Sequence, residues 1–157
     1  MKKILSVSII LSVLCCAVAA SAVDLASLDK VSVLMTKEKV LSILGAPDEQ
    51  MTLANGLKVD VYYVDSAFPL TNSGCIFNDQ GILMGQSFVF QGHETGSIME
   101  RLKTSGFVQK QIESASKFFE GHDDDTGRPL VAVVSEGGEM TTITTFEKDF
   151  FEAQKRN

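Results

Sequence analysis

Residues 36–64 read TKEKVLSILGAPDEQMTLANGLKVDVYYV, and the pattern changes within them from helix to strand. Thr36 is a residue type that caps helix starts, and the apolar residues after it recur at helical spacing. Gly45 and Pro47 end this helix, because glycine adopts left-handed backbone readily and proline cannot continue a helix. The sequence therefore predicts a helix over 37–44.

The second half of the same stretch predicts a β-hairpin. Asn55-Gly56 is a strong signal for a tight hairpin turn between two strands. Residues 50–53 precede the turn, and residues 58–64 follow it with alternating apolar and polar side chains. Further strands are predicted at 75–77 and 82–90.

Upstream, Leu25, Leu28 and Val31 recur every three residues and predict a helix over 24–33. With the helix at 37–44 it would form a helical hairpin. Residues 23–92 are thus predicted to form an α-α-β-β-β unit, or one with four strands if residues 50–53 are counted. The expected fold class is α+β, with the helical hairpin packed on an antiparallel sheet.

Residues 93–157 are predicted to form a second unit of a helix followed by antiparallel strands, packed with the first unit. A short helix is expected at 98–103, whereas 110–120 is ambiguous, although Phe118 and Phe119 favour a strand that ends there. The remaining expected elements are strands at 129–135 and 139–146 and a helix at 147–155.

The N-terminal residues 1–22, MKKILSVSIILSVLCCAVAASA, have the three parts of a secretory signal peptide. Two lysines precede an apolar run, and Ala20-Ser21-Ala22 supplies the small residues of a cleavage site. An uncleaved membrane anchor is the alternative. Cys15 and Cys16 lack the small preceding residue of a lipobox, so membrane association through a lipid has no convincing motif. We expect an exported protein, periplasmic or associated with the outer membrane.

The charge and cysteine content exclude some functions. The 157 residues carry a net charge of −6, so a nucleic acid, itself a polyanion, is an unfavourable partner. After signal cleavage only Cys75 remains, and it cannot form an internal disulfide. A buried small apolar residue is the favoured interpretation of Cys75, and an intermolecular disulfide or a reactive thiol is the alternative.

Two sets of residues are candidates for a site. His122, Asp123 and Asp125 lie in an oxygen-rich loop that suits a weak divalent metal site, although the loop lacks the ligand spacing of an EF-hand. Tyr62, Phe88 and Phe90 lie on predicted strands and are candidates for contacting a partner; the two phenylalanines are either core residues or an exposed ridge. No catalytic residue and no cofactor is predicted.

The sequence around the first long helix resembles that of a known family. Met35, Thr36 and Val40, followed by Leu44-Gly45-Ala46-Pro47, are similar to the pattern of the SmpA/OmlA (BamE-like) family over residues 30–90. Leu34 departs from that pattern, which has glycine before the methionine. The resemblance implies a BamE-like fold, an envelope location and a link to outer-membrane assembly or envelope maintenance. The helix-then-strands order at 97–146 is also similar to the tandem units of the beta-lactamase inhibitor protein.

Two functions are therefore expected to compete. The first is a non-catalytic, exported protein-binding module with a protein partner in the cell envelope. The second is a small envelope metal-binding protein or enzyme that uses the loop from His122 to Asp125.

Overall fold

A computed structural model describes residues 22–53, 55–65, 68–113 and 116–156. The predicted signal peptide lies outside the described residues except for Ala22. The elements in chain order are α1 (Leu25–Leu28), α2 (Lys37–Leu44), β1 (Glu49–Thr52), β2 (Lys58–Tyr63), β3 (Leu70–Phe77), β4 (Leu83–Gln91), α3 (Thr95–Thr104), β5 (Val108–Glu113), β6 (Ser116–His122), β7 (Pro129–Gly137), β8 (Met140–Glu147) and α4 (Lys148–Lys155).

All eight of these strands form one antiparallel sheet in the order β1-β2-β3-β4-β8-β7-β6-β5. Within each half of the sheet, strands that follow one another in sequence lie side by side. The two halves join through β4 and β8, whose pairing runs from Gly85 opposite Phe146 to Gln91 opposite Met140. These two strands therefore form the centre of the sheet.

The prediction of a helical hairpin packed on a sheet is wrong. The first helix spans only Leu25–Leu28, not 24–33, and helices this short depend on tertiary packing for their stability. The ambiguous segment 110–120 contributes to two strands, β5 and β6. The molecule is accordingly an eight-stranded antiparallel sheet with a few short helices, not a BamE-like arrangement.

The helix start, the helix end and the hairpin turn that were predicted within residues 36–64 are confirmed. The Thr36 hydroxyl accepts a hydrogen bond from the Lys39 N–H at 3.3 Å and caps the start of α2. Gly45 ends this helix with a φ of 81°, a left-handed value that favours glycine. The Gly56 N–H donates to the Leu53 carbonyl in the turn that leads from β1 to β2.

The helices α1, α2 and α3 lie over one face of the sheet and cover two apolar clusters. The first cluster joins α2 to β2, β3 and β4 and includes Val40, Tyr62 and Leu83. The second joins α3 to β6 and β7 through Ile98, Leu102, Phe119, Ala132 and Val134. Phe90 packs against both clusters, so the region between them lies over the central strands.

An ion pair between a partly exposed lysine and a buried aspartate joins α2 to the sheet. The Lys37 ammonium lies 2.7 Å from Asp60 Oδ2, and the Asp60 side chain is only 2% exposed. Asp60 Oδ1 accepts a hydrogen bond from the Gln50 side-chain amide at 2.7 Å. The carboxylate is thus compensated by one cation and one neutral donor, and it fixes the start of α2 over β2.

The connection between α1 and α2 is attached to the start of β4. The Leu34 N–H donates to the Leu83 carbonyl at 2.8 Å, and the Leu83 N–H donates back to the Met35 carbonyl at the same distance. Leu34 has a φ of 71°, a conformation that non-glycine residues adopt at a steric cost. These bonds hold the preceding residues 31–33 close to the central strands.

Candidate functional site

A cleft of about 800 Å³ lies on the helical face of the sheet. Its lining comes from α3, from the central strands β4 and β8, and from residues 31–33 before α2. This volume falls in the range of ordinary ligand pockets. The cleft forms because α1 and α2 cover the first half of the sheet and α3 covers the second. Between these helices the side chains of the central strands β4 and β8 stay partly exposed.

The floor of the cleft combines aromatic and polar side chains. Phe88 and Ile143 lie opposite each other on β4 and β8. Phe90 lies two residues further along β4, on the same face. Gln86 and Thr145 form the next pair on the same face. The floor therefore presents an apolar area with a polar pair at one end.

Gln86 is the most unusual residue of this floor. It is 9% exposed, and its side-chain N–H donates to the Ser73 hydroxyl at 3.5 Å, which is at the outer limit for a hydrogen bond. Among the described residues nothing else bonds to its amide group. A primary amide has two N–H donors and a carbonyl acceptor, so Gln86 keeps most of its hydrogen-bonding capacity for whatever occupies the cleft.

The charged residues that line the cleft are mostly acidic. They are Glu94, Asp123 and Asp124 against one arginine, Arg101. Glu94 is engaged locally, because its Oε2 accepts from the Ser97 hydroxyl at 2.6 Å. Asp124 is exposed and has no ion pair or hydrogen bond with the described part of the chain. One end of the cleft thus carries a carboxylate that is free to meet a cation.

The predicted partner-contacting residues have different environments. Tyr62 is fully buried in the first apolar cluster, where burial raises the pKa of its hydroxyl. It offers no surface to a partner, because β2 is covered by α2 on this side. Phe88 and Phe90 are half-buried and line the cleft. Their role in binding stays a prediction.

The loop after β6 is held by its own hydrogen bonds. Asp123 Oδ1 accepts from the Thr126 N–H and from the Thr126 hydroxyl, each at 2.8 Å. His122, Asp123 and Asp124 line one end of the cleft, whereas Asp125 does not. Within the described ranges no three His, Cys, Asp or Glu side chains are grouped so as to hold a metal ion. The metal site built from His122, Asp123 and Asp125 stays a prediction.

Cys75 lies inside the first apolar cluster with no exposed surface. The prediction that it is a buried small apolar residue is confirmed. Burial, and secondly the negative charge of Asp60, raise the pKa of the Cys75 thiol to about 12. The thiol is therefore protonated at neutral pH, a state in which it is a poor nucleophile.

Close packing fixes one end of the cleft. Gly121 on β6 lies under the ring of Phe107, and a Cβ atom at this glycine would come within 2.6 Å of that ring. Phe107 itself lines the cleft. A side chain at position 121 would therefore displace part of the cleft lining.

Gln86, Thr145 and Arg101 line the cleft but were not among the predicted site residues, whereas Asp124 was included in the candidate loop from His122 to Asp125. A usable signal existed for Gln86, because alternation along a strand puts it on the same face as Phe88 and Phe90. A glutamine on the same strand face as two phenylalanines indicates a candidate site residue. For Thr145 no local signal existed, since its position depends on the pairing of β8 with β4.

No family model, no curated protein and no solved structure matches this chain. The resemblance to the SmpA/OmlA family rests on the sequence pattern alone. Among the described residues, no helix has the length and apolar character needed to cross a membrane.

Proposed function

We propose that this chain is a non-catalytic, exported protein-binding module and that the cleft over β4 and β8 is its partner-binding surface. The observation that carries this proposal is the partly exposed apolar floor, formed by Phe88, Phe90 and Ile143, between the helices of the two halves of the sheet. Export rests on the signal-peptide pattern of residues 1–22. The partner is accordingly a protein of the cell envelope.

The composition of the cleft supports recognition of a protein. Stable interfaces combine an apolar, aromatic centre with a polar rim that stays in contact with water. Here the floor supplies the aromatic centre, and Arg101, Glu94 and Asp124 supply charged groups around it. Aromatic side chains that remain partly exposed also bury the largest apolar area when a partner covers them.

A cross-linked pull-down from the cell envelope tests this proposal. Ser97 and Glu100 are both exposed on α3, but only Ser97 lines the cleft. We expect the indole of Ser97→Trp to occupy space in the cleft that the partner needs and to reduce partner recovery at least about tenfold, an effect as large as the loss of a main interface contact. Glu100→Trp is the matched control and should leave recovery unchanged.

Thermal unfolding of both variants establishes that they are folded. Equal recovery of the same partner by the unaltered protein and by Ser97→Trp would remove the cleft from the interface. Failure of the unaltered protein to recover any envelope protein would refute the binding function.

A further inference from the structure

The Gln86 side chain restricts what the cleft accommodates. A purely apolar occupant, such as an acyl chain, would bury this amide without partners for its free N–H and carbonyl groups, which is unfavourable. A backbone peptide group has one N–H donor and one carbonyl acceptor. It can therefore bond both the carbonyl and the free N–H of the Gln86 side chain. The adjacent Thr145 hydroxyl adds a further polar contact on the opposite strand.

The charge at the rim restricts the occupant further. Three carboxylates against one arginine give the cleft a negative potential, which disfavours anionic headgroups and favours a cation. Asp124 is the carboxylate best placed to meet that cation, because it is exposed and is not engaged within the described residues, unlike Asp123 and Glu94.

We propose that the cleft takes an extended peptide segment of the partner, with apolar side chains on Phe88 and Phe90, a backbone amide against Gln86 and a lysine or arginine at Asp124. This inference rests on the proposed function and specifies the chemistry of the partner. The backbone amide of the peptide supplies the hydrogen-bond partners that the Gln86 side chain lacks. Its basic residue neutralises part of the negative charge at the rim.

Selection of short random peptides displayed on phage against the purified protein tests the inference. We expect the enriched sequences to combine apolar residues with lysine or arginine. Binding of the synthesised peptides is then measured by fluorescence anisotropy at low and high salt. A fluorescent fatty acid serves as the non-peptide probe and is expected not to compete with them.

Two variants separate the two polar contacts. Gln86→Met keeps the size of the side chain and removes its amide, and we expect it to weaken peptide binding about tenfold. Asp124→Asn should weaken binding about two- to fivefold and reduce its salt dependence. Gln91→Met, on the exposed end of β4, and Asp79→Asn, in an exposed turn, lie outside the cleft lining and should bind like the unaltered protein.

The outcomes distinguish this inference from the proposed function. Enriched peptides without basic residues, unchanged binding by Gln86→Met, or displacement by the fatty acid would each overturn the peptide chemistry. If such peptides nevertheless lose binding in Ser97→Trp, the cleft remains the partner-binding surface. Peptides that bind equally well to Ser97→Trp would overturn both.

Discussion

Replacing Lys37 by methionine should destabilise the protein by about 2–4 kcal/mol, because it leaves the buried Asp60 carboxylate without its cation. The loss is smaller than for a pair in which both side chains are buried, since the Lys37 side chain is 34% exposed. The Asp60 carboxylate is 2% exposed and lies 2.7 Å from the lysine ammonium. Without Lys37 its only remaining side-chain partner among the described residues is the Gln50 amide. A buried carboxylate with a single neutral donor is poorly compensated for its loss of water. Urea unfolding followed by circular dichroism measures the effect.

A second substitution tests whether the unpaired Asp60 charge causes the loss of stability. The double variant Lys37→Met/Asp60→Leu should recover most of the lost stability, because it removes the uncompensated charge together with its partner. Lys39→Met is the matched control on the same helix, where the side chain is exposed, and should change stability by less than about 0.5 kcal/mol. A loss below about 1 kcal/mol for Lys37→Met would mean that the carboxylate is reached by water and that the pair does not hold α2.

Phe119→Ala should produce a loss of about 3–5 kcal/mol. The ring has no exposed surface and packs with Ile98 and Leu102 of α3 and with residues of β7. Its removal leaves a cavity under α3 that neighbouring side chains fill only in part. Since α3 forms one side of the cleft, peptide binding should weaken as well.

Val108→Ala provides the comparison for this variant, because Val108 is 60% exposed on β5. We expect a change of less than about 0.5 kcal/mol there. Differential scanning calorimetry of both proteins measures the difference. If Phe119→Ala unfolded at the same temperature as Val108→Ala, the second apolar cluster would not support α3 as described.

Helix ends and turns that depend on a few neighbouring residues were predicted correctly from the sequence. Thr36, Gly45 and the Asn55-Gly56 turn act on backbone atoms close in sequence, so their effect does not depend on the rest of the fold. The segment 110–120 stayed ambiguous for the opposite reason. Its strand character comes from pairing of β6 with β7, which local propensity does not encode.

The centre of the sheet was beyond sequence reasoning. The partner of β4 is β8, and about fifty residues of chain separate Gly85–Gln91 from Met140–Phe146. The burial of Asp60 likewise depends on a residue that is distant in sequence. Alternation places it on the same strand face as Tyr62, but only the position of Lys37 on α2 explains why a carboxylate is buried there.

Binding in the cleft is tested most directly by photo-crosslinking in the intact envelope, with benzoylphenylalanine placed at chosen positions of α3 and its C-terminal end. Ser105 lines the cleft and Lys103 does not, although both are exposed. We expect a specific adduct with the partner from Ser105, suppressed by excess selected peptide, and none from Lys103. Adducts of equal yield from both positions, or an adduct from Lys103 alone, would contradict binding in the cleft.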